Sequence, residues 1–268
     1  MAHITVQNEH IRVSYREGTL DGERIFENHC HVRYETIAVF EGRMSIVVDG
    51  ERYTLGAGEM IVIPPLAYHS VFADRDITYK RATFLFEESL IPKEIKEDFT
   101  AKVKSHPVSS EVSQQGVMRG LEEMFCECDL ERYLPLAVCL LTEAMYIHTY
   151  KAGKSTEARI NPTVKAVVEY IDGHITEKIL LDDVAESLFL SKSTVCHLFA
   201  SEMKISPKQY ILQKKLAYAA TLIDGGASAQ EASRAIGYEN YANFYLAFKK
   251  MFGESPREKK RTAYNDSN

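Results

Sequence analysis

The second half of the chain repeats itself in pattern rather than in identity. Leu181–Ser191 followed by Lys192–Ala200 matches Ala229–Tyr238 followed by Glu239–Lys250. Ala185 and Ser233, 48 positions apart, supply a small residue where two helices must approach closely, and Leu188 and Ile236 place an apolar plug three residues later. Beyond a turn, Ser191 and Asn240 are residue types that cap helix N-termini. Val195 and Phe244 then follow, with Phe199 and Phe248 four positions further on; these later pairs stand 49 apart, so the second turn carries one extra residue. The form is helix-turn-helix, whose second helix can lie in a DNA major groove. A plain helical bundle with small crossing residues gives the same local pattern. Two copies joined by the amphipathic stretch Pro207–Ile223 are far more specific than one.

Charge divides the chain in the same place. The 268 residues have a formal net charge of -6. Residues 160–268 carry 14 Lys and Arg against 13 Asp and Glu, whereas residues 1–159 carry 18 against 25. Lys249, Lys250, Arg257, Lys259, Lys260 and Arg261 crowd near the end. An acidic front and a locally basic back suit a DNA reader with a separate non-DNA domain, although chance clustering on solvated faces gives the same split. No run of about 18 apolar residues exists, which argues against a membrane span. The first residues, MAHITVQNEH, lack the apolar stretch of a secretory signal. Five Cys without paired CxxC spacing fit reduced thiols in a cytoplasmic protein.

The length predicts about two domains. Residues 1–88 read as short strands, including Ile37–Phe40, Met44–Val48, Met60–Ile63 and Thr78–Phe86. Asp49-Gly50 between two of them is a hairpin signal, because a type I′ turn needs positive φ at both central positions. Many short strands without intervening helices imply a sandwich or small barrel. Residues 89–150 turn helical, with apolar residues every three or four positions in Glu111–Cys126 and Leu134–Tyr150. This segment is expected to dimerise the chain; the bland alternative is helices packed only on their own barrel. Residues 151–160, KAGKSTEARI, read as a linker, and Asn161-Pro162 opens the helical domain at 161–262. The expected class is α+β in two domains, the first mainly β with a helical segment and the second all-α.

The helical half resembles a known family. Ala185, Leu190-Ser191, Leu198-Phe199, Ser206-Pro207, Tyr210, Leu216, Ala219, Leu222 and Ile223 carry the first part of the likeness. Gly237-Tyr238, Phe244, Phe248-Lys249-Lys250, Gly253 and Ser255-Pro256 carry the rest. On these residues 160–262 resemble the double helix-turn-helix domain of AraC-type transcription regulators. The resemblance implies double-stranded DNA as partner, with base-facing positions at Lys192, Ser193, Thr194, Cys196 and His197 in the first unit. In the second they are Asn240, Tyr241, Ala242, Asn243, Tyr245 and Leu246. Cys196, His197 and Leu246 stand where the family often has Arg or Gln, so readout would lean on weaker donors and apolar contact with thymine methyls. Lys192, Lys204, Lys208, Lys249 and Lys250 would contact the phosphate backbone.

In the front half, His29, His31, Glu35 and Gly42 stand in the pattern H-x-H-x3-E-x6-G. Gly58, Pro64 and His69 repeat the spacing of a second strand-turn-strand, with Leu66 where a Gly is usual. Together they resemble the two cupin motifs, which implies a jelly-roll barrel. His29, His31, Glu35 and His69 match the residues that hold a divalent metal in cupin enzymes. No cofactor is required by the regulator reading, and imidazole with carboxylate suits Fe, Mn, Ni or Zn if one is held. Strand alternation from His29 to Glu35 would set His29, His31, Arg33 and Glu35 on one side. With Tyr53 and His69 they form the expected contact set for a small polar effector such as a sugar.

The reading is a cytoplasmic, homodimeric transcription regulator and not an enzyme, with RNA polymerase as a further partner if its output is activation. The alternative is a metal-dependent cupin dioxygenase or isomerase with a helical assembly domain; the FKK..G.SP run has no role in it.

Overall fold

The computed structural model describes residues 2–19, 24–73, 78–105, 108–109, 116–117, 119–121, 123, 130–151 and 159–259. The first nine strands are β1 (Ala2–Gln7), β2 (Ile11–Thr19), β3 (Arg24–His29), β4 (Tyr34–Glu41), β5 (Arg43–Val48), β6 (Glu51–Gly56), β7 (Met60–Ile63), β8 (His69–Ala73) and β9 (Thr78–Phe86). Two short ones follow, β10 (Val108–Ser109) and β11 (Arg159–Ile160). They form two antiparallel sheets, ordered β1-β2-β9-β4-β7-β10 and β11-β6-β5-β8-β3. The expected barrel is thus a jelly-roll-like pair of sheets rather than one closed sheet.

Period-two patterning explains which residues face where. On β2, Ile11, Val13 and Tyr15 point outward and pack with Phe84 and Phe86 of β9 under helices α1 (Lys96–Ser105) and α2 (Leu130–Lys151). Ile37, Val39, Met44, Ile46, Ile61 and Ile63 fill one half of the space between the sheets. β4 is covered on both faces, so its first six residues are all buried. The predicted helix at Leu134–Tyr150 lies within α2. Much of the Glu111–Cys126 expectation falls outside the described residues, but Val117 and Leu121 join the same outer core. No helix is long and apolar enough to cross a membrane among the described residues.

The helical half has α3 (Pro162–Gly173), α4 (Leu181–Ser187), α5 (Lys192–Met203), α6 (Pro207–Asp224), α7 (Ala229–Ala235) and α8 (Tyr241–Phe252). Helices α4–α5 and α7–α8 are the two repeats, and α6 joins them. The caps fall where the sequence places them: Asn161 accepts from the Thr163 and Val164 amides, Ser191 from Thr194, and Asn240 from Ala242 and Asn243. Both turns close alike. The Leu190 amide donates to the Ala185 carbonyl at 2.9 Å, and the Tyr238 amide to Ser233 at 3.0 Å. Each bond reaches over one left-handed residue, Phe189 at φ 55° and Gly237 at φ 75°. Phe189 is 97% exposed. Lys215 of α6 ties the units together, donating from Nζ to the carbonyls of Glu177 and, at 2.7 Å, Ile236.

The two halves are packed on one another. Asp49 and Gly50, at φ 44° and 88°, make the predicted hairpin turn between β5 and β6. This tip is seated on the first helix-turn-helix unit. A Cβ on Gly50 would come 3.3 Å from Val164 Cγ1 of α3. Cys30, Val47, Tyr68 and Phe72 of the sheets share one core with Val164, Val168, Phe199, Met203 and Tyr210 of the helices. The expected linker is therefore structured at its end, since Arg159 and Ile160 pair with Arg52 and Glu51 of β6. Residues 152–158 lie outside the described residues.

Candidate effector chamber and nucleic-acid interface

The motif residues come from both sheets. His29 ends β3 and His69 opens β8, where the two residues pair in register; Glu35 lies near the start of β4 in the facing sheet. One ligand atom from each of His29, His31, Glu35 and His69 falls within 4.8 Å of the others. Glu35 is 2% exposed and His69 fully buried. Glu35 Oε2 lies 2.9 Å from His31 Nε2 and 2.9 Å from His69 Nε2.

The opposite ring nitrogens decide what this cluster can do. His31 Nδ1 lies 2.8 Å from the Arg33 carbonyl and His69 Nδ1 3.0 Å from the Ala67 carbonyl. A carbonyl only accepts, so each Nδ1 carries its proton. In a neutral imidazole Nε2 then presents a lone pair to the Glu35 carboxylate. Two acceptors at 2.9 Å require a cation between them, either a proton on Nε2 or a metal ion. Anchoring Nδ1 on a backbone carbonyl is how metal-ligating histidines are oriented. Burial, and then His69, push His29 down to about 3, so it stays neutral and able to ligate. Burial alone would raise Glu35, but His69 and His31 hold it well below the usual carboxylate range. The donor set fits a first-row transition metal.

Arg33 and Tyr53 are placed elsewhere. Strand β3 ends at His29 and β4 begins at Tyr34, so no single strand carries the alternation from His29 to Glu35. A turn intervenes, held by the Leu66 amide donating to the His31 carbonyl at 2.8 Å. Arg33 therefore turns outward to Glu87, at 2.7 Å, and to the Glu9 carbonyl. Tyr53 is buried on β6 and donates to Glu51 at 2.5 Å.

Beside the cluster lies a cavity of about 200 Å³. His29 and Glu35 form one wall. Arg12, Ser14 and Arg16 of β2, with Thr83 and Leu85 of β9, form the other. None of these five was singled out from sequence. The signal was present in the alternation of Ile11, Val13 and Tyr15 with Arg12, Ser14 and Arg16.

On the helical half, Lys192, Ser193, Thr194 and His197 of α5 are exposed and Cys196 is half-buried. On α8, Tyr241, Ala242, Asn243, Leu246, Lys249 and Lys250 are exposed, and Tyr245 is half-buried. Val195, Phe199, Phe244 and Phe248 turn inward. On both helices most of these positions thus lie on the exposed side. Lys192 Nζ donates to Asp182 at 2.8 Å, a contact that phosphate binding would replace.

Residues 184–262 match the helix-turn-helix domain family and residues 17–78 the cupin domain family. The chain is 31% identical over 125 residues to the uncharacterized HTH-type transcriptional regulator YdiP of Escherichia coli (strain K12), covering 45% of this chain and 41% of that one. It is 33% identical over 88 residues to the probable transcriptional regulator LumQ of Photobacterium leiognathi, covering 32% and 36%. These alignments span less than half the length of either relative. A longer alignment, 22% identical over 246 residues, covers 91% of this chain and 92% of the uncharacterized HTH-type transcriptional regulator YobQ of Bacillus subtilis (strain 168). With the double helix-turn-helix and the cupin sheets both in place, the chain carries an AraC-type helix-turn-helix domain together with a cupin domain.

Proposed function

We propose that the chain regulates transcription by binding double-stranded DNA through α5 and α8, under control of a small polar effector held between the cupin sheets. One observation carries the reading. Two capped recognition helices, closed by matching turns, share helix α6, and α6 also grips the hairpin that follows β5. An effector acts only if it binds one arrangement of the domains better than another, and here the two would be the packed interface and an undocked form.

His29, His31, Glu35 and His69 would hold a divalent metal, which when bound offers coordination positions to effector oxygens. The exposed Leu136, Tyr146 and Tyr150 on α2 support a homodimer built on that helix.

The test is a mobility shift of the full chain on operator-containing DNA across a salt series. Replacing Lys249 and Lys250 with Ala should weaken binding to all sequences and reduce the salt slope by about one to two. An unchanged slope would remove both lysines from the interface.

A further inference from the structure

The residues of the chamber specify more than polarity. Arg12 pairs in register with Leu85, and Leu85 with Glu35. The guanidinium of Arg12 and the histidine-carboxylate cluster therefore sit in one row across the sheet. Two strand spacings separate their backbones, roughly 9.5 Å. Glu35 is the only acid lining the cavity among the described residues, and it is already engaged by His31 and His69. Arg12 has no ion-pair partner among the described residues, and the lining includes a second guanidinium, Arg16, four residues along. The lining thus has a surplus of positive charge, before any metal is counted. Ser14 and Thr83, paired between these positions, offer hydroxyls.

We infer that the chamber binds a small organic oxyanion, with Arg12 clasping its carboxylate or phosphate and the His29–Glu35 side receiving its other oxygens. An arginine fork matches the planar pair of oxygens of a carboxylate, and two of the phosphate oxygens, with two parallel hydrogen bonds. A volume of about 200 Å³ lies below that of pockets built for drug-sized ligands. It suits a compact hydroxy acid or a sugar phosphate. The inference rests on the effector reading above and narrows it to anions.

The experiment is calorimetric titration of the full chain with malate, citrate, glucose 6-phosphate and glucose. At least one of the three anions should bind, and glucose should bind more weakly. Arg12→Gln should weaken the anion at least about tenfold, since a hydrogen bond to a charged group is lost. Arg12→Lys, which keeps the charge and loses the fork, should fall between. Arg12 is exposed at the chamber mouth, so neither change threatens the core. Binding of the acids without the phosphate, or the reverse, identifies which oxyanion is read. The inference is overturned if only glucose binds, if no anion binds at millimolar concentration, or if Arg12→Gln binds the anion as tightly as wild type. A mobility shift with the same variants separates the two readings. DNA binding that persists in Arg12→Gln leaves the regulator standing whichever way the anion result falls.

Discussion

Lys214 Nζ, on the helix shared by both helix-turn-helix units, lies 3.4 Å from the Asp49 carboxylate at the tip of a cupin hairpin. The same Asp49 oxygen accepts from the Tyr210 hydroxyl and from the Tyr68 amide, each at 3.0 Å. Asp172 completes the cluster, 3.0 Å from Lys214. Asp49→Ala strands two buried donors and leaves Lys214 with one acid, so it should destabilise the docked form by about 1–3 kcal/mol. Cys30 reports the opening. It is 2% exposed, and burial pushes its thiol up to about 12. In wild type Cys30 should resist alkylation while the exposed Cys139 reacts, and in Asp49→Ala peptide mapping should find Cys30 labelled. Equal protection in both proteins would show that Asp49 does not hold the domains together.

Docking should weaken in alkali. Burial and Asp49 raise Tyr210 well above 10.0, and Asp49 and Asp172 outweigh burial to hold Lys214 above 10.5. Both groups therefore bind protons more tightly when docked. Their contribution is complete below about pH 10 and is lost as pH rises through the raised values. Small-angle scattering should show the chain expanding above pH 10 at a lower pH in Lys214→Met than in wild type. Superimposable titrations would assign no role to Lys214.

Metal binding should expel protons. Without metal, His31 and His69 each face Glu35 with a nitrogen that needs a proton, and a divalent ion replaces those protons. Calorimetry with Zn²⁺ in buffers of different ionisation enthalpy should show release of about one to two protons. Affinity should rise with pH, because the divalent ion competes with those protons for the same atoms. Glu35→Gln should cost about tenfold or more in affinity, ligands being at least as sensitive as their outer partners. Proton-neutral binding would mean that the imidazoles are already unprotonated.

Phe189 holds a left-handed backbone that an L side chain adopts at a cost of about 1–2 kcal/mol. Its ring, almost wholly in solvent, has no packing to lose. Phe189→Gly should therefore raise stability by about 0.5–1 kcal/mol after the entropy of a more flexible unfolded chain is set against it. Thermal melting checks this. A loss of stability would mean that the ring is covered in the working assembly.

Local chemistry made much of this fold readable. Caps, small crossing residues and the Asp49-Gly50 turn are each decided within a few positions, and the His29–His69 pair is set by strand register. What sequence reading missed is decided by packing between distant elements. The polar face of β2 looks like a solvent face in sequence. It lines the chamber because α1 and α2 cover the apolar face instead, leaving Arg12, Ser14 and Arg16 to turn inward. Asp49 read as a turn former, and its partner Lys214 lies 165 residues further on. Arg33 was set beside His31 by an alternation that a turn interrupts.

Three consecutive residues, His29, Cys30 and His31, face two different rooms. The imidazoles turn to the Glu35 cluster beside the chamber, and the sulfur between them turns to the core shared with the helices of the second half. The partition between the two is one peptide thick. Under the proposed function a signal would need no relay of side chains to cross it, because rotation of that peptide to meet an occupant would displace Cys30 on the other side in the same motion.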